Sequence, residues 1–327
     1  MNDLEKELEK KFKQLRKEKD DQEKEYFSGQ ISDLLRNNLD QYTALDYDFS
    51  KLSTVSTIKS PDGDFRLINW NIEMSDLSHK YFCFMVKKKN VNSVEVIEFS
   101  DRSMEVFEEH TQKTFTNTNW FGCLYYKIIP VKKGAKTIYT MLAYDGNNDR
   151  SNIKFVEGMM FAGKRVKLGV PIIQTNEGLL KRYFLEHSEK TIISLNHDPK
   201  RNMIVMDHLV PENEKLEGMY EFYVPCFSYD GLRFDNGKWV LEEDVVAVNK
   251  PQEKNLKVQV GENKFVSMKN KWVDPTNNGT TGTHTAVTPE DIEKQNKKKD
   301  ADKDRKLKYK KAKYLNNRNQ RSIIYEK

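Results

Sequence analysis

Cysteine is scarce in this sequence, with three residues in a chain of 327. The number is odd and no two cysteines have Cys-x-x-Cys spacing, which argues against a disulfide framework and against a structural zinc site. Each cysteine lies in an aromatic or apolar run. The sequence therefore predicts buried free thiols at Cys83, Cys123 and Cys226.

Local signatures of catalysis and metal binding are also missing. The six histidines form no His-x-His or His-Glu-x-x-His pair, and there is no Gly-x-Ser-x-Gly elbow or glycine-rich phosphate loop. The segment DGNNDRSN places Asp145, Asn147 and Asp149 at alternate positions, as in a calcium loop, but Val156 stands where such a loop has its closing glutamate. A hairpin turn is the better interpretation, and the sequence predicts no metal and no cofactor.

Long apolar runs are absent as well. No stretch of about 18 apolar residues occurs, so the sequence predicts no membrane-spanning helix. The charged start, MNDLEKELEKKFKQLRKEKDD, lacks the apolar segment of a signal peptide, which predicts a cytoplasmic protein if Met1 is the true start.

The net charge of +5 is unevenly distributed along the chain. Residues 294–327 contain fourteen Lys or Arg and four Asp or Glu, so this tail carries +10 and the rest of the chain carries −5. Lysine and arginine of the segment 297–321, which begins with Lys297 and ends with Arg321, can contact phosphates, with Tyr309 and Tyr314 available for stacking. An anionic partner (nucleic acid, anionic lipid or glycan) is one interpretation of the tail, and a solvated segment is the other.

The N-terminal segment has the apolar spacing of helices. Leu4, Leu8, Phe12 and Leu15 recur at steps of four, four and three, with charged residues between them. A similar stripe extends to Leu39. We expect two helices, or one broken helix, that pack as a layer on the body. A coiled-coil dimer is the alternative, for which the repeat is short.

From about residue 52 the pattern changes to short segments rich in β-branched and aromatic residues, separated by turns every eight to twelve residues. One turn is predicted near Gly134, between two strands of a hairpin. The sequence thus predicts a mainly β fold: an antiparallel sandwich or barrel-like body with an N-terminal helical layer and a helical or disordered basic C-terminal tail. The predicted boundaries are a helical segment 1–45, a β-rich body 46–250, an extension and linker 251–287 and the basic tail 288–327.

Asp207 and His208 are adjacent at the end of an apolar run, RNMIVMDHLVP. Neighbours in a strand point to opposite faces, so these side chains cannot easily form an acid–base dyad. We favour a strand that Pro211 closes. The alternative is a hydrolase that uses Asp207 and His208, or the carboxylates near Glu243.

Several segments together resemble an uncharacterised family of envelope or secreted proteins from Bacteroidota. They include SPDGDFRLINWNIEM, HKYFCFMV, YTMLAYDGNN, NMIVMDHLVP and GKWVLEEDVVAVN, and the resemblance covers about residues 25–250. It implies a periplasmic or secreted protein and brings no activity, cofactor or catalytic residue with it. The shared residues are mostly aromatics and turn formers: Trp70, Trp120, Tyr125, Asp145, Gly146, Asn147, Asp207, His208, Tyr229, Asp230 and Trp239.

These observations predict a non-catalytic, β-rich module of the cell envelope that binds a protein or glycan partner, and they leave its oligomeric state open. If the ligand is a glycan, some of the four tryptophans, which include Trp272, should be exposed in one cleft. The predicted ligand-binding residues are Trp70, Trp120, Asp145, Asn147, His208, Tyr229 and Trp239.

Overall fold

The computed structural model describes residues 1–106, 111–163, 165–245, 256–259 and 265–268. The chain divides into two compact units, Met1–Ala247 and Val248–Lys327. The helices are α1 (Asn2–Leu15), α2 (Asp21–Asn38), α3 (Thr43–Asp46) and α4 (Ser103–Val106). The strands are β1 (Ser56–Lys59), β2 (Phe65–Glu73), β3 (His79–Asn90), β4 (Ser93–Phe99), β5 (Phe115–Thr116), β6 (Leu124–Lys133), β7 (Lys136–Asp145), β8 (Ser151–Ala162), β9 (Arg165–Leu168), β10 (Ile173–Thr175), β11 (Gly178–Leu180), β12 (Arg182–Ser188), β13 (Leu195–Asp198), β14 (Met203–Pro211), β15 (Tyr223–Asp235), β16 (Lys238–Val245), β17 (Leu256–Gln259) and β18 (Phe265–Met268).

The N-terminal apolar stripe forms two helices, as predicted. Asp20 begins α2 as its cap, because its side chain accepts a hydrogen bond from the Glu23 amide. The stripe of α1 is buried together with that of α2 against one face of a sheet, where Phe12 meets the Trp70 ring edge-on at 5.4 Å. The helices therefore bury their apolar residues on the body of the same chain.

The first sheet has the strand order β1-β2-β3-β4 and is antiparallel. Its residues alternate between two faces. In β2, Ile68 and Trp70 pack against the helices, whereas Phe65 and Leu67 pack on the other side. This double burial explains why β2 has apolar residues on both of its faces and also buries Arg66 and Asn69.

The second sheet has the order β5-β9-β8-β7-β6, with β12 paired to β8. In β7, Tyr139 and Met141 face the first sheet, whereas Ile138 and Leu142 face a third sheet of order β11-β10-β16-β15-β14-β13. The third sheet contains one parallel pair, β10 with β16, and is otherwise antiparallel. Unit Met1–Ala247 therefore consists of four layers, one helical and three of β-sheet.

The fold class predicted from the sequence is confirmed as mainly β with an N-terminal helical layer. The hairpin turn at Gly134, where φ is +60°, joins β6 to β7 as expected. In the second unit the structure describes a hairpin of β17 and β18, which lies within the predicted extension and linker 251–287. Of the predicted extension and linker 251–287, only residues 256–259 and 265–268 are described, and the basic tail 288–327 lies outside the described residues.

The cysteines are free thiols, as predicted, although only Cys83 and Cys123 are buried and Cys226 is half-buried. Burial raises the pKa of the Cys83 and Cys123 thiols well above the ordinary value, so both stay protonated. No helix within the described ranges has both the length and the apolar character needed to cross a membrane.

Candidate functional site

A cleft of about 810 Å³ opens where three segments distant in sequence meet: the start of β3, the end of β4 with the residues after it, and the turn that follows β7. Two of the predicted site residues, Asp145 and Asn147, lie in its wall. We call it the Asp145 cleft. Its lining consists of Ser78, His79, Lys80, Tyr81, Phe82, Glu98, Phe99, Ser100, Asp101, Arg102, Ser103, Met104, Glu105, Phe121, Asp145 and Asn147.

Asp145 is the last residue of β7 and is only 5% exposed. Its Oδ1 accepts hydrogen bonds from the Tyr81 hydroxyl at 2.7 Å and from the Asn147 amide at 2.8 Å. Its Oδ2 accepts none from any described residue. Burial raises the pKa of this carboxyl to about 6, although the two hydrogen bonds act in the opposite direction. At neutral pH the cleft therefore contains a largely buried carboxylate, one oxygen of which accepts no hydrogen bond from the described residues.

The turn after Asp145 explains the DGNN sequence. Asn147 has a φ of +49°, and its side-chain amide donates to Ser151 Oγ at 2.8 Å, which closes the β7–β8 hairpin. A Cβ on Gly146 would lie 2.3 Å from His79 Nε2, so only glycine lets the imidazole approach this closely. The hairpin interpretation of this segment is correct, and the described part of the chain holds no group of three or more His, Cys, Asp or Glu arranged to hold a metal ion.

His79, at the start of β3, forms the wall beside Gly146. The Asn71 side-chain nitrogen lies 3.1 Å from His79 Nδ1. An amide nitrogen can only donate, so Nδ1 accepts and Nε2 carries the hydrogen of the neutral ring. Burial lowers the pKa of His79, which keeps the imidazole neutral at pH 7.

Asp101 connects the segments that form the cleft. Its Oδ2 accepts from the Tyr81 amide at 2.9 Å, and its Oδ1 accepts from the amide and the hydroxyl of Ser103. Ser103 Oγ in turn accepts from the Gly122 amide at 2.8 Å. In contrast to Asp145, both oxygens of Asp101 are therefore used within the protein.

The charges at the rim of the cleft are paired with one another or with residues outside the cleft. Lys80 pairs with Glu25, Arg102 with Glu105 at 2.7 Å, and Glu98 with Arg36 at 2.9 Å. With His79 neutral, the four carboxylates and two cations of the lining give the cleft a formal charge of −2. Its apolar lining comes from Phe82, Phe99, Phe121 and the 93% exposed Met104.

The three tryptophans predicted to bind ligand are fully buried, which contradicts that part of the prediction. Trp70 lies between the helices and the first sheet, Trp120 between the first and second sheets, and Trp239 between the second and third. Their indole nitrogens donate to Ser28, Tyr125 and Thr140 respectively. Both faces of the first and second sheets are covered by neighbouring layers, so aromatic residues there serve packing. Trp272 lies outside the described residues.

Asp207 and His208 diverge, as predicted for neighbours in a strand, and β14 ends at Pro211. Asp207 Oδ2 accepts from the Ser194 amide at 2.6 Å. His208, whose side chain is 34% exposed, places Nδ1 2.8 Å from Oδ2 of Asp230 on β15. The register of the β14–β15 pair shifts at this position, and the extra residues lie in β15. The sequence does not indicate this partner for His208.

The remaining predicted residues do not join the Asp145 cleft. Tyr229 is half-buried opposite Asp207 in the β14–β15 pair, and neither it nor His208 is among the lining residues. Near Glu243, the carboxylate of Glu242 is engaged by Arg233 at 2.6 Å and 2.8 Å. Glu243 itself is exposed at the end of β16, as a solvated strand end would be. The predicted anionic partner of 297–321 concerns residues outside those described and stays a prediction.

Comparison with family models, curated proteins and solved structures found no match for this chain. The functional assignment therefore depends on the geometry of the site. The Bacteroidota family and the envelope location stay predictions.

Among the cleft residues that the sequence did not predict, four form or connect its polar wall: His79, Tyr81, Asp101 and Ser103. The sequence did contain a signal for His79 and Tyr81. The segment HKYFCFMV has strand character, and residues i and i+2 of a strand lie on the same face. Nothing in the sequence placed Asp101 or Asp145 beside them.

Proposed function

We propose that this protein is a non-catalytic binding module whose Asp145 cleft binds a segment of a protein partner. The observation that carries the proposal is Asp145 Oδ2, a carboxylate oxygen in the wall of a large cleft that no described residue satisfies. A carboxyl with a raised pKa in a cleft is typical of a functional site.

A protein partner fits the lining better than a glycan does. Sugar sites commonly use exposed aromatic rings, whereas Trp70, Trp120 and Trp239 are all 0% exposed. The cleft instead combines apolar side chains, such as Phe99 and Met104, with charged residues at the rim. An apolar centre with a polar rim is the usual composition of a protein-binding surface.

The hydrogen bonds within the cleft support binding rather than catalysis. A nucleophile requires a base that is free to accept its proton. Ser103 Oγ is held between Asp101 and the Gly122 amide, and His79 Nδ1 is occupied by Asn71. These groups serve to shape the cleft, and Asp145 Oδ2 is left for the ligand.

The proposal is tested by applying the full chain to a peptide array and a glycan array in parallel. Ser100→Arg adds a long cation to an exposed position of the cleft lining, and no described residue hydrogen-bonds the Ser100 side chain. Asn92→Arg is the matched control, at the exposed turn beyond the far end of β3. We expect peptide binding that Ser100→Arg abolishes and Asn92→Arg preserves. Binding only to glycans, or peptide binding that Ser100→Arg leaves unchanged, would contradict the proposal.

A hydrolase centred on His208 is the second candidate. The observation that favours it is the 2.8 Å contact between His208 Nδ1 and Asp230 Oδ2, since a carboxylate that orients an imidazole is part of many catalytic triads. Within the described residues, however, no hydroxyl or thiol is hydrogen-bonded to His208. A panel of ester, peptide and glycoside substrates, with His208→Ala as the control, tests it. Turnover that persists in His208→Ala would exclude this site.

A further inference from the structure

We infer that the Asp145 cleft selects a primary ammonium group, presented by a lysine side chain of the partner. The inference rests on the proposed function and deepens it, because it names the chemical group that the buried carboxylate recognises. Three properties of the cleft support it: its charge, the number of acceptors it leaves open, and its apolar lining.

The charge of the cleft favours a cation. Lys80 and Arg102 are already neutralised by Glu25 and Glu105, whereas Asp145 has no cationic partner among the described residues. Because charges interact more strongly in a buried, weakly polar environment than in water, a ligand cation next to Asp145 would replace the hydration that the carboxylate has lost.

The open acceptors favour an ammonium over a guanidinium. Asp145 Oδ1 already receives two hydrogen bonds, so only Oδ2 is available, and the parallel two-oxygen pairing that arginine prefers cannot form. Asn147 lies in the same wall. Its side-chain nitrogen donates to Ser151, and no described residue donates to its Oδ1. An ammonium has three donors that can rotate to meet such separate acceptors.

The apolar lining suits the stem of a lysine. Phe99, Phe121 and Met104 contribute to the same cleft as the carboxylate. Lysine buries its four methylene groups along apolar surface while its charged end reaches a polar group. A small inorganic cation would leave this apolar surface uncovered.

The test uses a minimal probe, N-α-acetyl-L-lysine methylamide, titrated into the full chain and followed by amide NMR shifts. The N-ε-acetylated probe removes the charge, and the matching arginine probe replaces the ammonium by a guanidinium. The protein variants are Asp145→Asn, which keeps the acceptor Oδ1, and Asp149→Asn, which makes the same change at an exposed position of the same turn. Thermal unfolding of each variant shows whether it is folded.

We expect the lysine probe to bind in the millimolar range, the N-ε-acetylated probe not to bind and the arginine probe to bind more weakly. Asp145→Asn should weaken lysine binding by about tenfold or more, since a hydrogen bond to a charged group is lost, and Asp149→Asn should leave it unchanged. Equal binding of the arginine probe, no binding of the lysine probe, or full binding by folded Asp145→Asn would each overturn the inference.

The peptide array separates this inference from the proposed function. In every peptide whose binding Ser100→Arg abolishes, each lysine is replaced by norleucine, which keeps the stem and removes the charge. If binding is sensitive to Ser100→Arg but no lysine is essential, the proposed function stands and the inference fails. If no peptide depends on the cleft, both fail.

Discussion

At the scale of single residues, Asp101 and Asp145 are two carboxylates of one cleft that differ in the hydrogen bonds they accept. Asp101 accepts three hydrogen bonds through both oxygens, which makes it a structural connector. Asp145 accepts two through one oxygen and is almost fully buried. The ionised form of Asp145 therefore has few contacts that compensate for its burial. This lowers the stability of the folded protein when no ligand is bound.

The first prediction concerns the pH dependence of stability at Asp145. Its pKa rises from 3.8 to about 6 on folding, so between these values the folded state binds more protons than the unfolded state. The free energy of unfolding therefore falls as pH rises through this window and stays lower above it. The groups that face this carboxyl are Tyr81, which stays protonated, the anions Asp101 and Glu186, and the neutral His79 of the cleft wall.

Asp145→Asn removes this cost and retains an acceptor for Tyr81. At pH 7.5 we expect the variant to be more stable than the wild type by roughly 1–3 kcal/mol, because folding raises the pKa of the Asp145 carboxyl to about 6, and we expect the difference to vanish near pH 4. Urea unfolding at the two pH values measures it, with Asp149→Asn as the exposed control. A variant that is less stable at pH 7.5 would show that the ionised carboxylate is compensated. A gain in stability together with a loss of lysine binding is the signature of a residue retained for function.

The second prediction concerns Gly146. A Cβ there would overlap the His79 ring, which Asn71 holds in place, so Gly146→Ala should displace the imidazole and destabilise the protein by roughly 1–3 kcal/mol. Once displaced toward water, His79 should recover a pKa closer to its ordinary value, which an NMR titration of the ring protons detects. Gly29→Ala is the control, because a Cβ at Gly29 in α2 meets nothing within 4 Å and should stabilise the helix slightly. An unchanged His79 pKa would show that the ring has room to move.

At the scale of elements, strands β8 and β12 are joined by a buried ion pair. Arg182 Nε lies 2.8 Å from Glu157 Oε2, and the two side chains are 1% and 2% exposed. The guanidinium also donates to the Lys113 carbonyl at 2.7 Å, and Tyr125 donates to the other oxygen of Glu157. Each of these contacts joins two different strands or loops. The network therefore stabilises the assembly of the strands at the edge of the second sheet.

The third prediction tests this network. Arg182→Met leaves Glu157 buried without its cation and should destabilise the protein by roughly 3–5 kcal/mol. The double variant Glu157→Gln with Arg182→Met should recover part of that loss, because it no longer buries a charge. The matched control is Arg233→Met, which breaks the exposed pair with Glu242 and should cost less than about 1 kcal/mol. Equal losses from the buried and exposed pairs, measured by urea unfolding, would contradict this account.

At the scale of the whole molecule, the helical layer is part of the core rather than an appendage. It covers Ile68, Trp70, Ile72, Phe84 and Val86 of the first sheet. The apolar stripe of the N-terminal helices, for which a coiled-coil dimer was the alternative interpretation, packs against this sheet.

The fourth prediction is that a chain lacking residues 1–45 loses stability and solubility, since deletion would expose one face of the first sheet. The expected result is binding of a hydrophobic dye and aggregation on expression. Phe12→Ala gives a graded version that should still fold, with a loss of roughly 3–4 kcal/mol, because it opens a cavity beside Trp70. A soluble, cooperatively unfolding chain without 1–45 would show that the sheet does not need this layer.

The local elements of this protein were determined by its sequence, because period-2 and period-3.6 patterns and turn residues act over a few neighbours. The two N-terminal helices, the turn at Gly134 and the hairpin around Asn147 all follow from such patterns. The divergence of the Asp207 and His208 side chains also follows from a local pattern, because neighbours in a strand point to opposite faces.

Only the tertiary structure decided which residues lie beside one another across the layers. The apolar residues on both faces of β2 and β3 indicate that both faces are covered but not which layers cover them. The three tryptophans predicted for a ligand surface are core residues for this reason. His208 meets Asp230, and His79, Asp101 and Asp145 form one cleft, through strand pairing and sheet stacking that bring together residues 20 to 64 positions apart. Such contacts depend on the packing of whole sheets, which no short stretch of sequence encodes by itself.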